Sequence, residues 1–291
     1  MTDLINTRKL DHLRALADDA GIEREATGFD ALRLRHRALP ELHYDEIDTR
    51  TPFLGRELQM PLLISSMTGG AAQEILTINR NLAEAAQECG VAMAVGSQRV
   101  MITNPDAAAS FALREYCPDV PLIANLGAVQ LNHGFGIEEC QAAIEALSAD
   151  ALYLHLNPLQ EAVQPEGDLR FGDLASRIAE ISQTLPVPVM LKEVGSGLSR
   201  EDVELGWNAG VRHFDVAGRG GTSWSRIEYH RRTDANDDIG LMFQDWGLTT
   251  VESLREVRSF LNSRSETGTL IASGGLRSGI DMVKAMILGA D

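Results

Sequence analysis

The sequence predicts an α/β protein with the TIM (β/α)8 barrel fold, and three observations support this prediction. Short apolar runs begin near residues 61, 91, 121 and 151, and this regular spacing fits one strand, one helix and two loops. Three further runs, VPVMLKEVG, RHFDVAGRGG and TLIASGG, bring the strand candidates to seven. The runs are almost continuously apolar and no second domain appears, which favours a closed barrel of parallel strands over a doubly wound sheet.

The segments between the runs are predicted to be helices. ILTINRNLAEAAQECG and IEECQAAIEALSAD carry apolar residues at helical spacing and end near a Gly or an Ala-Asp pair. One segment breaks the rhythm: residues 223–247, between the sixth strand and the next helix, are long and polar and contain two tryptophans. In a barrel this position lies beside the active site, so we expect either a lid or a solvated insertion.

The residues before the first run are polar and partly amphipathic, with the helical pattern strongest in residues 7–20. We interpret residues 1–55 as an N-terminal helical extension and residues 56–291 as the barrel. Only seven strand candidates are present, and the sequence reaches KAMILGAD where a barrel would enter its eighth strand. Because a barrel must close to pair its edge strands, we expect the functional protein to carry a C-terminal tail of several tens of residues beyond Asp291.

The composition excludes several classes of protein. The chain of 291 residues is 44% hydrophobic and 23% charged, which suits one large globular domain. A formal net charge of −16 argues against a nucleic-acid partner. No apolar run approaches the roughly 20 residues that span a bilayer, and no secretion signal is visible, so we expect a cytoplasmic protein without a membrane segment. Cys89, Cys117 and Cys140 show no zinc or disulfide spacing and are expected to be reduced, mostly buried thiols.

Polar or glycine-rich clusters end the apolar runs. The C-terminal ends of barrel strands form the active-site face, so these clusters should line one concave site. They are SSMTGG (65–70), GSQR (96–99), NLG (125–127), HLNPLQE (155–161), KEVGSG (192–197), GRGGTS (218–223) and SGGLRSG (273–279).

GRGGTS and SGGLRSG are candidate phosphate-binding loops. Each follows a strand, so its glycines would let backbone N–H groups approach a phosphate. Tight turns that need glycine are the alternative. Lys192 ends a buried strand, where an unpaired ammonium is costly, so it either pairs with a neighbour such as Glu193 or faces an anion or a flavin ring.

The HLNPLQE cluster carries the densest group of polar side chains. His155 and Asn157 are two residues apart in an extended segment and therefore share one face. Glu161 is a lone carboxylate: a metal there would need water and substrate oxygens to complete its coordination, as Mg²⁺ often does, and a solvated carboxylate is the alternative. Arg99 follows a barrel strand and could make bidentate contacts to phosphate.

Taken together, TRKLDH, ISSMTGG, VGSQR, HLNPLQEAVQPEGD, KEVGSG, DVAGRGGTSW and SGGLRSG resemble the motifs of type II isopentenyl diphosphate isomerases, in the family's order and over nearly the whole chain. The resemblance implies a TIM barrel that binds FMN, is active with the flavin reduced, and uses Mg²⁺ and NADPH as reductant. The implied substrates are isopentenyl diphosphate and dimethylallyl diphosphate, and the implied assembly is a homo-oligomer, a tetramer or an octamer.

The resemblance also assigns residues to roles. It implies FMN contacts at Ser66, Met67, Thr68, Ser97, Asn125, Lys192, Thr222, Gly275, Leu276 and Arg277. It implies substrate contacts at Arg8, Lys9, His12, Ser97, Gln98, Arg99 and Gln160, with the extension contributing to the substrate site. Gln160, His155 and Asn157 are implied for catalysis and Glu161 for Mg²⁺. On residue type alone, a basic pair such as Arg8 and Lys9 near an N-terminus is more often solvated than functional.

Two other functions remain open. Another FMN barrel, such as a 2-hydroxy-acid oxidase, would share the phosphate loops, but it would want a His and Arg pair placed for a carboxylate, which HLNPLQE does not supply. A flavin-binding barrel without catalytic activity is the second alternative.

Overall fold

Seven parallel strands form one sheet in the computed structural model, which describes residues 12, 14–70, 72–232, 234 and 236–291. The strands follow one another in the sheet in chain order and are β3 (Leu63–Ile64), β4 (Ala92–Ala94), β5 (Leu122–Gly127), β6 (Ala151–Leu156), β7 (Val189–Glu193), β8 (His213–Asp215) and β9 (Thr269–Ile271). All seven strand predictions are confirmed.

The sheet is curled so that alternate residues face its inside. Leu152, Leu154 and Leu191 face outward into the main core beneath the helices. Tyr153 and Met190 belong instead to a smaller apolar cluster on the inner face. The Tyr153 hydroxyl on β6 donates to Asp215 on β8 at 3.0 Å, although β7 lies between these strands. Contact across an intervening strand requires strong curvature, as in a barrel.

Helices alternate with the strands along the chain, and the longer ones cover the outer side of the sheet. They are α1 (Gln73–Cys89), α2 (Arg99–Thr103), α3 (Ile137–Leu147), α4 (Pro158–Val163), α5 (Leu174–Thr184), α6 (Arg200–Asn208), α7 (Trp224–His230), α8 (Ile239–Met242), α9 (Thr250–Asn262) and α10 (Gly279–Ile287). Ser199, Thr249 and Ser278 begin α6, α9 and α10 with capping boxes, which satisfy the first N–H groups of each helix. No helix in the described ranges has the length and apolar character needed to cross a membrane.

A hairpin that the sequence did not reveal precedes the barrel. Its antiparallel strands are β1 (Thr51–Phe53) and β2 (Arg56–Leu58). Phe53 and Leu54 pack against the inner apolar cluster, near the N-terminal ends of the barrel strands. The hairpin therefore covers the floor of the barrel and crosses the boundary between residues 55 and 56.

The N-terminal extension runs to the opposite, C-terminal face. Residues 14–18 are helical, and 3₁₀ turns follow at Ala20–Ile22, Phe29–Ala31 and Tyr44–Glu46. Ile22 packs with Ile227 of α7. The carbonyl of Ile22 accepts the N–H of Ser223, and the N–H of Arg24 donates to Gly221. This antiparallel contact brings the extension against the loop after β8, beside the predicted site.

Candidate active site

Two adjoining cavities border the sheet. The larger, of about 450 Å³, runs between the edge strands β3 and β9, from the hairpin residues Thr51–Phe53 to the two glycine loops. The smaller, of about 100 Å³, lies at the C-terminal ends of β4, β5 and β6. Met67, Lys192, Val194 and Trp224 line both cavities. These shared walls make one continuous concave surface, as the strand-end clusters predicted.

The two glycine loops touch through their backbones. A Cβ atom on Gly275 would lie 2.0 Å from the carbonyl oxygen of Gly220, and one on Gly221 would lie 2.8 Å from the amide nitrogen of Gly275. Gly220 and Gly275 also have positive φ, at 144° and 78°. Glycine is therefore required twice over, for conformation and for close approach. The paired loops form a backbone cradle on the wall that also carries Thr222 and Leu276.

Arg277 and Arg24 fasten this cradle to the extension. The guanidinium of Arg277 donates to the carbonyls of Gly220 and Arg24, at 3.0 and 2.8 Å, and to Glu23. Arg24 is buried and donates to the carbonyls of Gly195, Gly221, Thr222 and Gln244. The side chain of Arg277, predicted to contact FMN, thus has protein partners on several sides, although it also borders the larger cavity.

Lys192 is held by a buried carboxylate on the neighbouring strand. Parallel pairing sets Lys192 of β7 beside Asp215 of β8, and the ammonium lies 3.2 Å from the carboxylate. Lys192 also donates to Ser273, whose hydroxyl donates to Asp215. Burial and the charge of Asp215 raise the pKa of the Tyr153 phenol well above its usual value, so Tyr153 remains a neutral donor to Asp215. Lys192 therefore combines both predicted alternatives, since it is paired and still faces both cavities.

Glu193 is not the partner of Lys192. Its carboxylate is buried and accepts the backbone N–H groups of Val194 and Gly195 at 2.7 and 2.6 Å, and that of Ser196. Burial raises the pKa of Glu193 to about 7 against the lowering effect of these hydrogen bonds. The residue shapes the turn after β7, which forms part of the cavity wall.

Glu161 is buried at the smaller cavity rather than solvated. Its two oxygens accept from the Asn157 amide at 3.0 Å and from the backbone N–H of Asp168 at 2.8 Å. Within the described ranges no three His, Cys, Asp or Glu side chains gather around a possible metal position. A cation at Glu161 would therefore complete its coordination with water and ligand oxygens, a pattern typical of Mg²⁺.

Two buried polar atoms at this cavity have no hydrogen-bond partner among the described residues. They are the hydroxyl of Ser66 and the amide oxygen of Asn157. A buried polar atom is stable only when it is hydrogen-bonded, so each is suited to a ligand. Beside them, Nδ1 of His155 lies 2.7 Å from the amide oxygen of Asn125. Because the Asn125 amide nitrogen donates to Val95, its oxygen faces His155, and Nδ1 of His155 is the donor.

The described part of the segment after the sixth barrel strand, residues 223–232, 234 and 236–247, borders the smaller cavity through Trp224. Glu228 of α7 is fully buried and accepts from the Gln160 amide at 3.1 Å, and His12 lies 3.8 Å from it. The ring of Trp224 meets that of His12 edge to face, with centroids 5.1 Å apart. Arg226 pairs with Asp19 of the extension. The segment is therefore packed on the extension and the site rather than being a loose solvated insertion.

Some predicted residues do not line a cavity. Gln98 is fully buried; its amide donates to the carbonyl of Ala143 and accepts the N–H of Asn125, so it supports the strand ends from below. The hydroxyl of Thr68 donates to Asn79. Arg8 and Lys9 lie outside the described residues. The predicted residues that do line the smaller cavity are His12, Ser66, Met67, Ser97, Arg99, Asn125, His155, Asn157, Gln160, Glu161 and Lys192.

Four residues at or beneath the site were missed by the sequence analysis: Trp224, Glu228, Asp215 and Asp168. Trp224 directly follows GRGGTS and Asp168 ends QPEGD, so motif position alone could have suggested them. Asp215 and Glu228 lack such a signal, because their roles depend on strand register and on how α7 packs.

Comparison with known proteins agrees with this architecture. A family model described as FMN-dependent dehydrogenase matches residues 4–110 and 159–291. A soluble mutant of the membrane-associated (S)-mandelate dehydrogenase from Pseudomonas putida superposes with a TM-score of 0.62 at 17% identity, over 92% of this chain and 77% of that one. That likeness concerns the fold alone. Fold and family model together define the chain as an α/β barrel of the FMN-dependent dehydrogenase class, which confirms the predicted fold.

Two relatives define the family more closely. The isopentenyl-diphosphate delta-isomerase of Paracoccus zeaxanthinifaciens is 68% identical over 98% of this chain and 81% of its own length. That of Hydrogenovibrio crunogenus is 57% identical over 98% of this chain and 82% of its own length. The chain belongs to the isopentenyl-diphosphate delta-isomerase family, and the resemblance seen in its motifs is confirmed.

Proposed function

We propose that this protein interconverts isopentenyl diphosphate and dimethylallyl diphosphate, with reduced FMN in the larger cavity and Mg²⁺ at Glu161. The observation that carries the proposal is the high identity with relatives named isopentenyl-diphosphate delta-isomerase, at 68% and 57% over nearly the whole chain. The two joined cavities supply separate places for a cofactor and a small anionic substrate.

The larger cavity suits FMN at both ends of that molecule. Gly218, Gly221, Gly274 and Gly275 of the two loops line this cavity and offer a phosphate a wall without side chains. Ser66, in the adjoining smaller cavity, contributes a buried hydroxyl without a partner among the described residues, and Lys192 contributes a positive charge where the cavities meet. When bound, reduced FMN would supply the proton transfer that an unactivated alkene demands and that an ordinary side-chain acid performs poorly.

The smaller cavity suits the diphosphate and its cation. Arg99 presents a planar guanidinium, which matches phosphate oxygens, and Glu161 presents a buried carboxylate for Mg²⁺. The whole protein carries a net charge of −16, so binding an anion depends on such local positive groups. We propose that Arg8, Lys9, His12, Ser97 and Gln160 complete the substrate contacts. Gln98 would act from behind, by supporting the strand ends.

Three side chains are oriented around the position proposed for the substrate carbon chain. The Gln160 amide is held on both sides, since its nitrogen donates to Glu228 and its oxygen accepts from Asn157 at 3.2 Å. Nδ1 of His155 donates to Asn125, so Nε2 is the proton-accepting nitrogen of the neutral ring. Trp224, packed on His12, would keep water from the alkene.

The remaining parts of the proposal rest on the family resemblance. They are NADPH as a reductant and a homo-oligomeric assembly. A cytoplasmic location and a division into an extension of residues 1–55 and a barrel of residues 56–291 are proposed from the sequence pattern.

The test is turnover of isopentenyl diphosphate by the protein loaded with FMN and followed by NMR. We expect isomerisation only when the flavin is reduced, by dithionite or NADPH, and Mg²⁺ is present. Full turnover with oxidised flavin and no reductant would contradict the proposal. Oxidation of lactate or glycolate instead would indicate a 2-hydroxy-acid oxidase, and flavin binding with no isomerisation would indicate an inactive barrel.

A further inference from the structure

The loop that follows α4 folds back onto that helix. A Cβ atom on Gly167 would lie 1.8 Å from the carbonyl oxygen of Glu161, so only glycine permits this approach. The N–H of Gly167 donates to Gln164 at 3.1 Å, and the next N–H, of Asp168, donates to the Glu161 carboxylate at 2.8 Å. The backbone of Asp168 thus fixes one oxygen of Glu161.

The side chain of Asp168 contacts Arg99 and its neighbours rather than Glu161. One carboxylate oxygen accepts from Arg99 at 3.0 Å and from the Gln130 amide at 2.9 Å, while the other lies 3.6 Å from Nδ1 of His133. Partial burial alone would raise the pKa of Asp168, but the hydrogen bond from Gln130 and the charges of Arg99 and His133 bring it below its usual value. Asp168 is therefore ionised at neutral pH and holds Arg99 by an ion pair.

The loop itself is anchored from a neighbouring element. The amide of Asn132, in the 3₁₀ turn Ala128–His133 after β5, donates to the carbonyls of Arg170 and Gly172 at 2.8 and 2.7 Å. Gln130 lies in the same turn. Asp168 is thus held in place independently of any ligand.

We propose that Asp168 is a positioning residue that holds Arg99 and Glu161 in a fixed arrangement. A magnesium diphosphate group would then bind to the Arg99 guanidinium and the Glu161 carboxylate without first having to orient them. The inference rests on the proposed function. An arginine side chain loses much rotamer freedom when it binds, and a partner that orients it beforehand reduces that loss. The hydrogen bond to Asp168 uses one guanidinium nitrogen of Arg99, Nη1. The same residue sets the place of the carboxylate, so cation and diphosphate are received together.

The test is a double-mutant cycle on the FMN-loaded enzyme. Arg99→Ala, Asp168→Asn and the double variant are titrated with inorganic diphosphate in saturating Mg²⁺, and KM and kcat for isopentenyl diphosphate are measured. We expect Asp168→Asn to weaken diphosphate binding about three- to tenfold and to raise KM by a similar factor, with kcat within about twofold. In the Arg99→Ala background the same substitution should change nothing.

Asp150→Asn is the matched control. Asp150 has the same side-chain exposure as Asp168, 19%, and pairs with Arg56 and Arg114 away from both cavities. It should leave diphosphate affinity unchanged. Gly167→Ala is a second variant, which keeps every charge but displaces the loop, and it should weaken diphosphate binding at least as much as Asp168→Asn.

Several outcomes would overturn the inference. Equal losses of affinity from Asp168→Asn in the presence and absence of Arg99 would mean that Asp168 does not act through Arg99. Unchanged or tighter diphosphate binding would mean that its negative charge merely opposes the anion. If Asp168→Asn fails to fold, unchanged affinity in Gly167→Ala overturns the inference. Failure of the unsubstituted enzyme to bind magnesium diphosphate or to turn over would instead contradict the proposed function.

Discussion

Arg24→Met is expected to lower both the free energy of unfolding and the affinity for FMN. The Arg24 side chain donates to four carbonyls, those of Gly195, Gly221, Thr222 and Gln244, at distances of 2.6–3.0 Å. These carbonyls belong to the loop after β7, the glycine loop after β8 and the segment 223–247. Burial lowers the pKa of Arg24 to about 10, so the guanidinium is charged at neutral pH. Methionine would fill much of the space but donate no hydrogen bond.

The structure sets the size of the effect. A hydrogen bond to a charged donor contributes about 1.5–3 kcal/mol to stability. The four contributions do not add, because water entering the space can hydrogen-bond some of the carbonyls. We expect the free energy of unfolding to fall by about 3–5 kcal/mol, since each buried carbonyl that is left without a donor costs about 1–3 kcal/mol and water can reach only some of them. Because Gly221 and Thr222 belong to the loop proposed to hold the FMN phosphate, we also expect FMN affinity to fall about tenfold or more.

The assay compares Arg24→Met with Arg114→Met. Arg114 also holds three carbonyls, those of Cys117, Val120 and Ser148, and pairs with Asp150. It lies near the N-terminal ends of the strands, away from both cavities. Urea unfolding should show similar losses of stability in both variants, whereas fluorescence titration of the flavin-free proteins should show weaker FMN binding only in Arg24→Met. Equal FMN affinities in the two variants would refute this account of Arg24.

Three further predictions concern other carboxylates. Glu161→Gln should leave the fold and flavin binding unchanged. It should raise the Mg²⁺ concentration needed for half-maximal rate at least about tenfold, because the amide lacks the charge that holds the ion. An unchanged Mg²⁺ titration would mean that the substrate alone holds the metal. The pKa of Glu193 is raised from 4.5 to about 7 in the folded protein, so its protonated form stabilises the fold at low pH and this contribution is lost as the pH rises to about 7. Glu193→Gln should remove that slope from urea-unfolding measurements between about pH 5 and 8, and a slope identical to that of the unsubstituted protein would argue against it. Asp215→Asn should lower stability by about 3 kcal/mol or more, because Lys192 loses its buried counter-charge. The double variant Lys192→Met, Asp215→Asn should recover most of this loss, since it removes the unpaired charge and keeps an acceptor for the Tyr153 hydroxyl. A further loss in the double variant would show that the pair itself stabilises the fold.

The barrel strands could be predicted because each one is recognisable from its own short stretch of sequence. A buried parallel strand reads as a short apolar run, and a regular repeat of such runs separated by helices has few alternatives. The hairpin at residues 51–58 gave no such signal. Its turn residues, Leu54 and Gly55, both have positive φ, at 48° and 77°. Asn or Asp usually precedes the glycine in such a turn. Because leucine stands there instead, the hairpin could not be recognised from the sequence.

The site was predictable as a set of clusters but not as a set of contacts. Strand ends could be assigned to one face from the fold alone, which brought His155, Glu161 and Lys192 together correctly. The partner of Lys192 could not be read in the same way, because it depends on the register between β7 and β8, which places Asp215 beside it. Gln98 shows the reverse case, since a polar residue in a site motif is here buried and serves the scaffold.

The contacts of the extension with the two glycine loops affect the order in which the chain folds. Arg24 bonds Gly221 across 197 residues of sequence, and Arg277 bonds the Arg24 carbonyl across 253. Contacts between such distant positions form slowly, because a large loop must close before they stabilise anything. At a synthesis rate of about 5–20 residues per second, residue 24 would wait roughly 13–50 seconds for residue 277 to be made. The segment around Arg24 is thus made early but is among the last to reach its final position, and the backbone cradle is assembled only when the two distant ends of this span meet.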